Sequence, residues 1–291
     1  MTTVAVVAHR RKRLGGGLRV LRAALHDRGV TDPLWYEVDK SKFAPKKVRK
    51  ALGDGADLVF VWGGDGTVQR SLDMLAGADV AVAVLPAGTA NLFAANFGIP
   101  EDLESAVEIG LHGERRRIDL GVVNGEHFGV MAGTGFDALM IRDAGRGLKD
   151  RLGRAAYVWT GARNLGRSRA VVRIDVDGEL WYEGTAGCVL VGNVGRVLGG
   201  VSAFDDARPD DGVLDVGVVQ ATGPLGWGRV LTRMVVGRTE RSPLTEVTQG
   251  HDVDVRLDRK LPYELDGGDR KPTKRLRVSV DPRALLLCVP R

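Results

Sequence analysis

Between two apolar runs the chain carries Gly63-Gly64-Asp65-Gly66-Thr67. Glycines let backbone N–H groups approach phosphate oxygens closely, and a helix beginning there adds positive potential. An aspartate has no use in a loop that binds only an anion. It suits a loop that also orients a hydroxyl or water, or handles Mg²⁺ beside phosphates. The same five residues also read as a tight turn in which Asp65 caps the next helix. A second segment, Pro86-Ala87-Gly88-Thr89-Ala90-Asn91, follows the next apolar run. There Thr89 and Asn91 either donate to phosphate oxygens or cap the helix that follows. The Gly-x4-Gly-Lys-Ser/Thr loop, the Gly-x-Ser-x-Gly elbow and the His-Glu-x-x-His metal motif are all absent. His9, His26, His112, His127 and His251 are scattered and read as structural or surface groups.

These loops need a frame. Residues 58–62 and 80–85 are continuous apolar runs, the pattern of parallel strands buried on both faces. Helices follow them, to residues 75 and 97. Upstream lie strands at 3–8 and 34–38, and a helix bearing Leu18, Leu21 and Leu25 behind the Gly15–Gly17 cluster. A basic helix at 42–52 and a helix at 103–111 complete the set. This alternation predicts a doubly wound α/β domain, whose ligands bind outside the carboxyl ends of the strands. Both glycine loops then sit side by side. After Arg117 strand-like runs dominate, separated by Asn124-Gly125, Asp177-Gly178, Asp211-Gly212 and Asp266-Gly267, all signals for type I′ hairpin turns. Helical stretches are expected near 138–166 and 224–236. The second domain is therefore expected to be an antiparallel β structure with inserted helices. The expected division is 1–118 and 119–279. The apolar tail at 284–290 can return to either domain, so residues 280–291 are candidates to complete the first.

Composition bounds the rest. Glycine supplies 40 of 291 residues, about twice its usual share of ~7%. With 44% hydrophobic residues the chain can bury a proper core. Net charge is 42 − 37 = +5, and 10 of the 42 basic residues are lysine. That mild excess admits a nucleotide, a phospholipid surface or RNA and demands none. No apolar run approaches the ~18–20 residues of a membrane span. The start of the chain, apolar first and basic after, reverses the order of a secretory signal. Cys188 and Cys288, in apolar surroundings, are expected as buried free thiols in a reducing, cytoplasmic compartment.

The two glycine loops together resemble the diacylglycerol kinase catalytic domain, the family of bacterial lipid kinases and sphingosine kinases. Further matches follow in order: Phe128 to Asp137-Ala138, Gly192-Asn193 with Gly199-Gly200, Pro209-Asp210-Asp211-Gly212-Val213-Leu214-Asp215, and Leu265-Asp266-Gly267. The resemblance implies an N-terminal domain like that of NAD kinases and a C-terminal β-sandwich. It implies ATP at the cleft and Mg²⁺-dependent transfer of the γ-phosphate to the hydroxyl of diacylglycerol or a related lipid alcohol. Carried over by position, Gly63, Gly64, Asp65, Gly66 and Thr67 would cradle the ATP phosphates, with Asp65 near the catalytic Mg²⁺. Gly88, Thr89 and Asn91 would complete the nucleotide side. Asp211, with backbone oxygens of Arg208 and Val213, would match a structural Mg²⁺ site, although Asp-Asp-Gly also reads as a plain turn. Arg-rich segments at 142–169 and 224–238 suit transient contact with an anionic inner-membrane surface, or are ordinary surface helices. No nucleic-acid partner is expected, and a homodimer is compatible.

Two departures from the family pattern matter. The pair Ala8-His9, followed by Arg10-Arg11-Lys12-Arg13, stands where members have Asn-Pro. That basic cluster either holds phosphate or is a solvated loop. The family's presumed base is a glutamate after Asp-Gly, and here the position is Gly268. Asp269, one residue on, is the preferred substitute and Asp266 the other candidate. In a loop the one-residue shift is absorbed, whereas in a strand it turns the side chain to the other face. If no carboxylate serves, the chain is a kinase-fold protein that binds nucleotide or lipid without transfer. A third reading is a kinase for a soluble substrate such as NAD.

Overall fold

The structure, a computed structural model, describes residues 2–135, 169–197, 201–221, 226, 230 and 243–291. The expected helix at 138–166, Gly199-Gly200 and the basic segment 142–168 lie outside these residues. So does most of 224–238, within which Gly226 and Val230 are helical. The chain divides into two compact units, Met1–Leu120 with Pro282–Arg291, and Gly121–Asp281.

The first unit is built on a parallel sheet of β1 (Val4–His9), β2 (Leu34–Val38), β3 (Leu58–Gly63) and β4 (Ala81–Pro86). The order is β2-β1-β3-β4, every pairing is parallel, and Leu286 and Leu287 of the tail extend the sheet beside Ala81 and Val82. The tail thus belongs to this unit. Every residue of β1, β3 and β4 is buried, which explains their unbroken apolar runs. The edge strand β2 alternates near its end. Helix α1 (Leu18–His26) buries Leu21, Ala24 and Leu25. The expected basic helix splits into a 3-10 turn, Ser41–Phe43, and α2 (Ala44–Gly53), which buries Ala44, Val48 and Ala51. Pro45 sits in the first turn of α2, where its missing N–H costs nothing. Helices α3 (Asp65–Leu75) and α4 (Leu92–Asn96) follow the two glycine loops. Helix α5 (Leu103–His112) is capped by Asp102, which accepts from Ser105 N at 2.8 Å. The sheet reverses direction of growth between β1 and β3, so the loops after β1, β3 and β4 gather at a topological switch point.

The second unit is antiparallel. After β5 (Glu114–Val123), β6 (Glu126–Phe128) and β7 (Met131–Thr134) come β8 (Ala170–Val176), β9 (Glu179–Ala186) and β10 (Cys188–Gly192). The short pair β11 (Arg196–Val197) and β12 (Val201–Ser202) precedes β13 (Leu214–Val219), β14 (Thr245–Gly250), β15 (Asp252–Leu265) and β16 (Gly268–Val289). The order is β14-β13-β10-β7-β15-β16, with β8 and β9 added on β15 and the hairpin β5-β6 beside β16. One core joins Phe128, Ile174, Val191, Leu214, Val255, Leu265 and Leu276. On the other face a smaller one gathers Cys188, Leu190, Phe204, Val219 and Val230.

Three of the four expected hairpin turns have the required left-handed pair of residues: Asn124-Gly125, Asp177-Gly178 and Asp266-Gly267. The fourth does not. Only Gly212 has positive φ, and Asp211 instead accepts from Val213 N at 3.2 Å. This is an Asx turn leading into β13, because β13 pairs with β10 and β14 and not with the strand before it. Cys188 and Cys288 are buried free thiols, as expected. Burial pushes both thiols up, Cys288 to about 11.

Helix α5 lies on β3 and β4 at Gly110, where an added Cβ would stand 2.1 Å from the Phe60 ring. Gly110→Ala is expected to cost about 1–3 kcal/mol as an overpacked core, read as a lower urea midpoint. An unchanged midpoint would contradict this contact.

Candidate active site

Strands β3 and β4 end on paired residues, Gly63 opposite Pro86, so the two glycine loops leave the sheet at the same level. Ala87 N donates to Gly63 O at 2.8 Å. The next residues touch backbone to backbone. A Cβ on Gly88 would lie 2.5 Å from Gly64 Cα and 2.6 Å from Asn91 Oδ1, and one on Gly64 would lie 2.9 Å from Gly88 Cα. Within its own loop, Gly63 leaves room for the Thr67 side chain, whose Cβ would lie 2.5 Å from an added Cβ. None of the three has positive φ. Close packing, between the loops at Gly64 and Gly88 and within one loop at Gly63, and not an unusual conformation, is what demands glycine here.

Asp65 joins the loops from the other side. Its Oδ1 accepts from Phe93 N at 3.2 Å, and the amides of Leu92 and Asn91 also act on the carboxylate. The side chain therefore caps α4, the helix of the neighbouring loop, whereas the sequence suggested a cap for its own. Burial pushes its pKa above the usual carboxylate range, and those amides pull in the opposite direction. Asn91 does not cap α4 with its side chain. It is 4% exposed with left-handed backbone at φ 48, and gives no side-chain bond to α4. Its Oδ1 accepts from Gly88 N at 2.8 Å, and its Nδ2 donates to Glu101 Oε1 at 2.8 Å. Both polar atoms are spent on holding the loop, so Asn91 is a positioning residue. Thr67 is buried, with its hydroxyl 3.0 Å from Ser41 Oγ. Ser41 was not singled out in the sequence, because nothing local ties it to a loop 26 positions away. Gly66 and Thr89 are exposed, and Thr89 forms no hydrogen bond among the described residues.

The loop after β1 is fixed beside them. Trp62 Nε1 donates to Lys12 O at 3.3 Å, and Arg10 forms an ion pair with Asp39. Buried His9 accepts at Nδ1 from Arg11 N, at 3.3 Å. Burial, then the nearby Lys12 charge, lowers its pKa, so it is neutral at neutral pH. Arg11 and Arg13 are exposed.

In the second unit the Asp266 carboxylate is 3% exposed. It accepts three backbone amides, Gly129 at 2.8 Å, Val130 at 2.9 Å and Met131 at 3.0 Å. Three lone pairs of the buried Asp266 carboxylate thus hold the chain entering β7. Asn193 grips the same stretch, donating from Nδ2 to Gly129 O at 3.1 Å. Gly268 already belongs to β16, paired with Leu265, and Asp269 pairs with Glu264. The one-residue shift is therefore not absorbed in a loop. Asp269 and Glu264 share one face of the hairpin, and Gly268 shares the other with Arg270. Arg270 binds Glu126 through Nε and Nη2, both at 2.9 Å from Oε2, and a Cβ on Gly268 would lie 3.2 Å from Arg270 Nη1. Glu264 and Glu126 escaped the sequence reading because each becomes relevant only through strand register. Asp211 and Arg208 are exposed, and Val213 is half-buried. Among the described residues no three His, Cys, Asp or Glu side chains cluster as metal ligands.

A parallel α/β unit with paired glycine loops at its switch point, followed by an antiparallel β unit, defines a kinase-type architecture. Residues 12–123 match the diacylglycerol kinase catalytic domain, and residues 130–289 match the YegS C-terminal NAD kinase beta sandwich-like domain. The chain belongs to the diacylglycerol kinase family and is a phosphotransferase. It is 33% identical over 258 residues to a Pseudomonas aeruginosa protein called "Probable lipid kinase YegS-like", covering 85% of this chain and 81% of that one. It is also 33% identical over 215 residues to a Bacillus subtilis diacylglycerol kinase, covering 72% and 71%. In fold it resembles a diacylglycerol kinase from Bacillus anthracis, with TM-score 0.78 and 21% identity over 99% of this chain and 96% of that one. An Archaeoglobus fulgidus NAD kinase shares the fold more distantly, with TM-score 0.52 and 11% identity over 98% and 93%.

Two outcomes test these placements. Asp266→Ala leaves three amides, two of them buried, without their acceptor and is expected to cost about 2–3 kcal/mol, read by urea unfolding. A raised folded pKa favours the protonated carboxyl, so the contribution of Asp65 to stability is present in acid and lost as pH rises through that pKa. Asp65→Asn is therefore expected to gain stability relative to wild type as pH rises above the ordinary carboxylate range. Parallel pH curves for the two proteins would refute a raised pKa.

Proposed function

We propose that the chain is an ATP- and Mg²⁺-dependent kinase that transfers the γ-phosphate to the hydroxyl of diacylglycerol or a related lipid alcohol. The observation that carries this reading is the loop pair at the sheet switch point, closed by the Gly64–Gly88 contact and tied by Asp65. Residues 1–120 with 282–291 would be the nucleotide-binding unit and residues 121–281 the lipid-facing one. Exposed Gly66 at the start of α3 offers room for anionic oxygens at a helix N-terminus, and Thr89 in the neighbouring loop is exposed as well. Thr67 supports that loop through Ser41 and is not itself exposed.

The donor chemistry fits Mg²⁺ in two places. Asp65 is a carboxylate whose burial disfavours the charged form, and a neighbouring cation would offset that cost. Asp211 is an exposed carboxylate in a turn that also carries the carbonyls of Arg208 and Val213, a hard oxygen set. The ion when bound would neutralise charge on the phosphates. Phosphoryl transfer depends mainly on positioning and electrostatics. In this scheme Asp65 sets the loops and the local charge, and Asp269, exposed and opposite Glu264, takes the hydroxyl proton.

One observation favours a second reading, a kinase fold that binds nucleotide or lipid without transfer. Asp269 faces away from the side on which a residue at 268 would project. Contact with an inner-membrane surface accords with a lipid acceptor, and no described helix is long and apolar enough to cross a membrane.

The test is phosphate transfer from labelled ATP, with Mg²⁺, to a lipid panel in mixed micelles. Asp65→Asn is expected to fall by at least ~10²-fold while remaining folded. Asp269→Asn is expected to fall by about 10²–10⁴-fold. Unchanged turnover in Asp269→Asn removes it as base. No transfer by wild type, with ATP binding demonstrated, selects the second reading. A large gain in Gly268→Glu would then show that only the base was missing, despite competition from Glu126 for Arg270.

A further inference from the structure

Between Asp39 and Asp54 the chain contains no acidic residue and six basic ones, Lys40, Lys42, Lys46, Lys47, Arg49 and Lys50. The flanking acids are already engaged, Asp39 by Arg10 and Asp54 by Lys50 and the Tyr36 hydroxyl. Lys40, Lys42, Lys46 and Lys47 have no acidic partner among the described residues. Lys40, Lys42 and Lys46 are exposed. Phe43 stands among them at 48% exposure, with Lys42 Nζ 5.2 Å from its ring centroid.

Folding does not account for this arrangement. Helix α2 has no acidic residue in its first turn. Lys46 and Lys47 lie near that end, where cations oppose the helix dipole. An anionic surface would satisfy both the lysines and the helix end. Phe43 narrows the choice of anion. A soluble phosphate gives an exposed ring nothing to bury against, whereas a bilayer interface accepts an aromatic side chain among basic ones. Single-stranded nucleic acid stacks on successive aromatics, and here the neighbouring Tyr36 is buried beneath Lys50, 5.5 Å from its ring centroid.

We propose that the face formed by Lys42, Phe43 and Lys46 docks this unit on a bilayer rich in anionic phospholipid. It lies next to the candidate site in the same unit, since Ser41 bonds Thr67 of the glycine loop. The proposal rests on the lipid-kinase reading and adds the surface by which the enzyme meets its substrate's membrane.

The experiment is co-sedimentation of the full chain with vesicles of phosphatidylcholine alone or with about 30% phosphatidylglycerol, at low and high salt. Wild type is expected to bind the phosphatidylglycerol vesicles, less so at high salt, and to leave pure phosphatidylcholine free. The double variant Lys42→Gln/Lys46→Gln is expected to bind about thirtyfold more weakly, at roughly tenfold or less per basic residue near the surface. Phe43→Ser is expected to weaken binding with little change in its salt dependence. All three substitutions are at exposed positions, and transfer to a soluble short-chain diacylglycerol is expected to be unchanged.

Vesicle binding that survives the substitutions overturns the proposal and leaves the kinase reading standing. Tighter binding to a short single-stranded RNA than to the vesicles, lost in the same variants, also overturns it and assigns the face to nucleic acid. Vesicle binding that depends on Lys42 and Lys46, in a chain that phosphorylates no lipid, supports the docking face and removes the kinase reading.

Discussion

Two backbone segments meet at Gly64 and Gly88, closer than any side chain would allow. Much of the first unit can be understood from that contact. The strands must end in register, which Gly63 and Pro86 do. Something must hold the loops against each other, and the Asp65 carboxylate does so by binding amides at the start of α4. Asn91 must then fold back, and it adopts a left-handed backbone to accept from Gly88 N. The outcome is a rigid double loop whose exposed parts, Gly66 and Thr89, are free to meet a ligand. Binding groups held by a network need no reordering on association, which is the physical value of such preorganisation.

The second unit uses a carboxylate for a similar purpose. Asp266 sits at the tip of the hairpin between β15 and β16, with φ 45, and binds three successive amides of another chain segment. An aspartate tolerates that left-handed turn position and brings its own acceptors to it. It thereby fixes where β16 starts. Once the start is fixed, pleating decides that Gly268 and Asp269 look in opposite directions. The doubt over the catalytic base is a consequence of this anchoring: a side chain in a strand cannot be displaced by one residue without changing face.

Legibility differed by element. The buried parallel strands were visible because a strand covered on both faces has no polar alternation to keep. Three hairpin turns were visible because Asn-Gly and Asp-Gly supply left-handed residues cheaply, and Asp211-Gly212 failed because the same dipeptide also closes an Asx turn. The two glycine loops were visible as a pair, although their glycines turned out to serve loop-to-loop packing. Ser41 and Glu126 were not visible, since each acts through a partner distant in sequence, and Glu264 was not, since only strand register sets it opposite Asp269.

By itself the sequence determined the strand and helix order, the positions of the glycine loops, the resemblance to a kinase family and the identity of the residues open to question. These depend on local pattern: hydrophobic period, turn chemistry and residue spacing. Tertiary structure alone decided which polar groups are already committed. Asn91 and Asp266 look like site residues in a linear reading, and both are consumed by amides and side chains that only the fold brings near. A hydrogen-bonding group has few lone pairs and donors, and what it can offer a substrate is whatever folding has left unused.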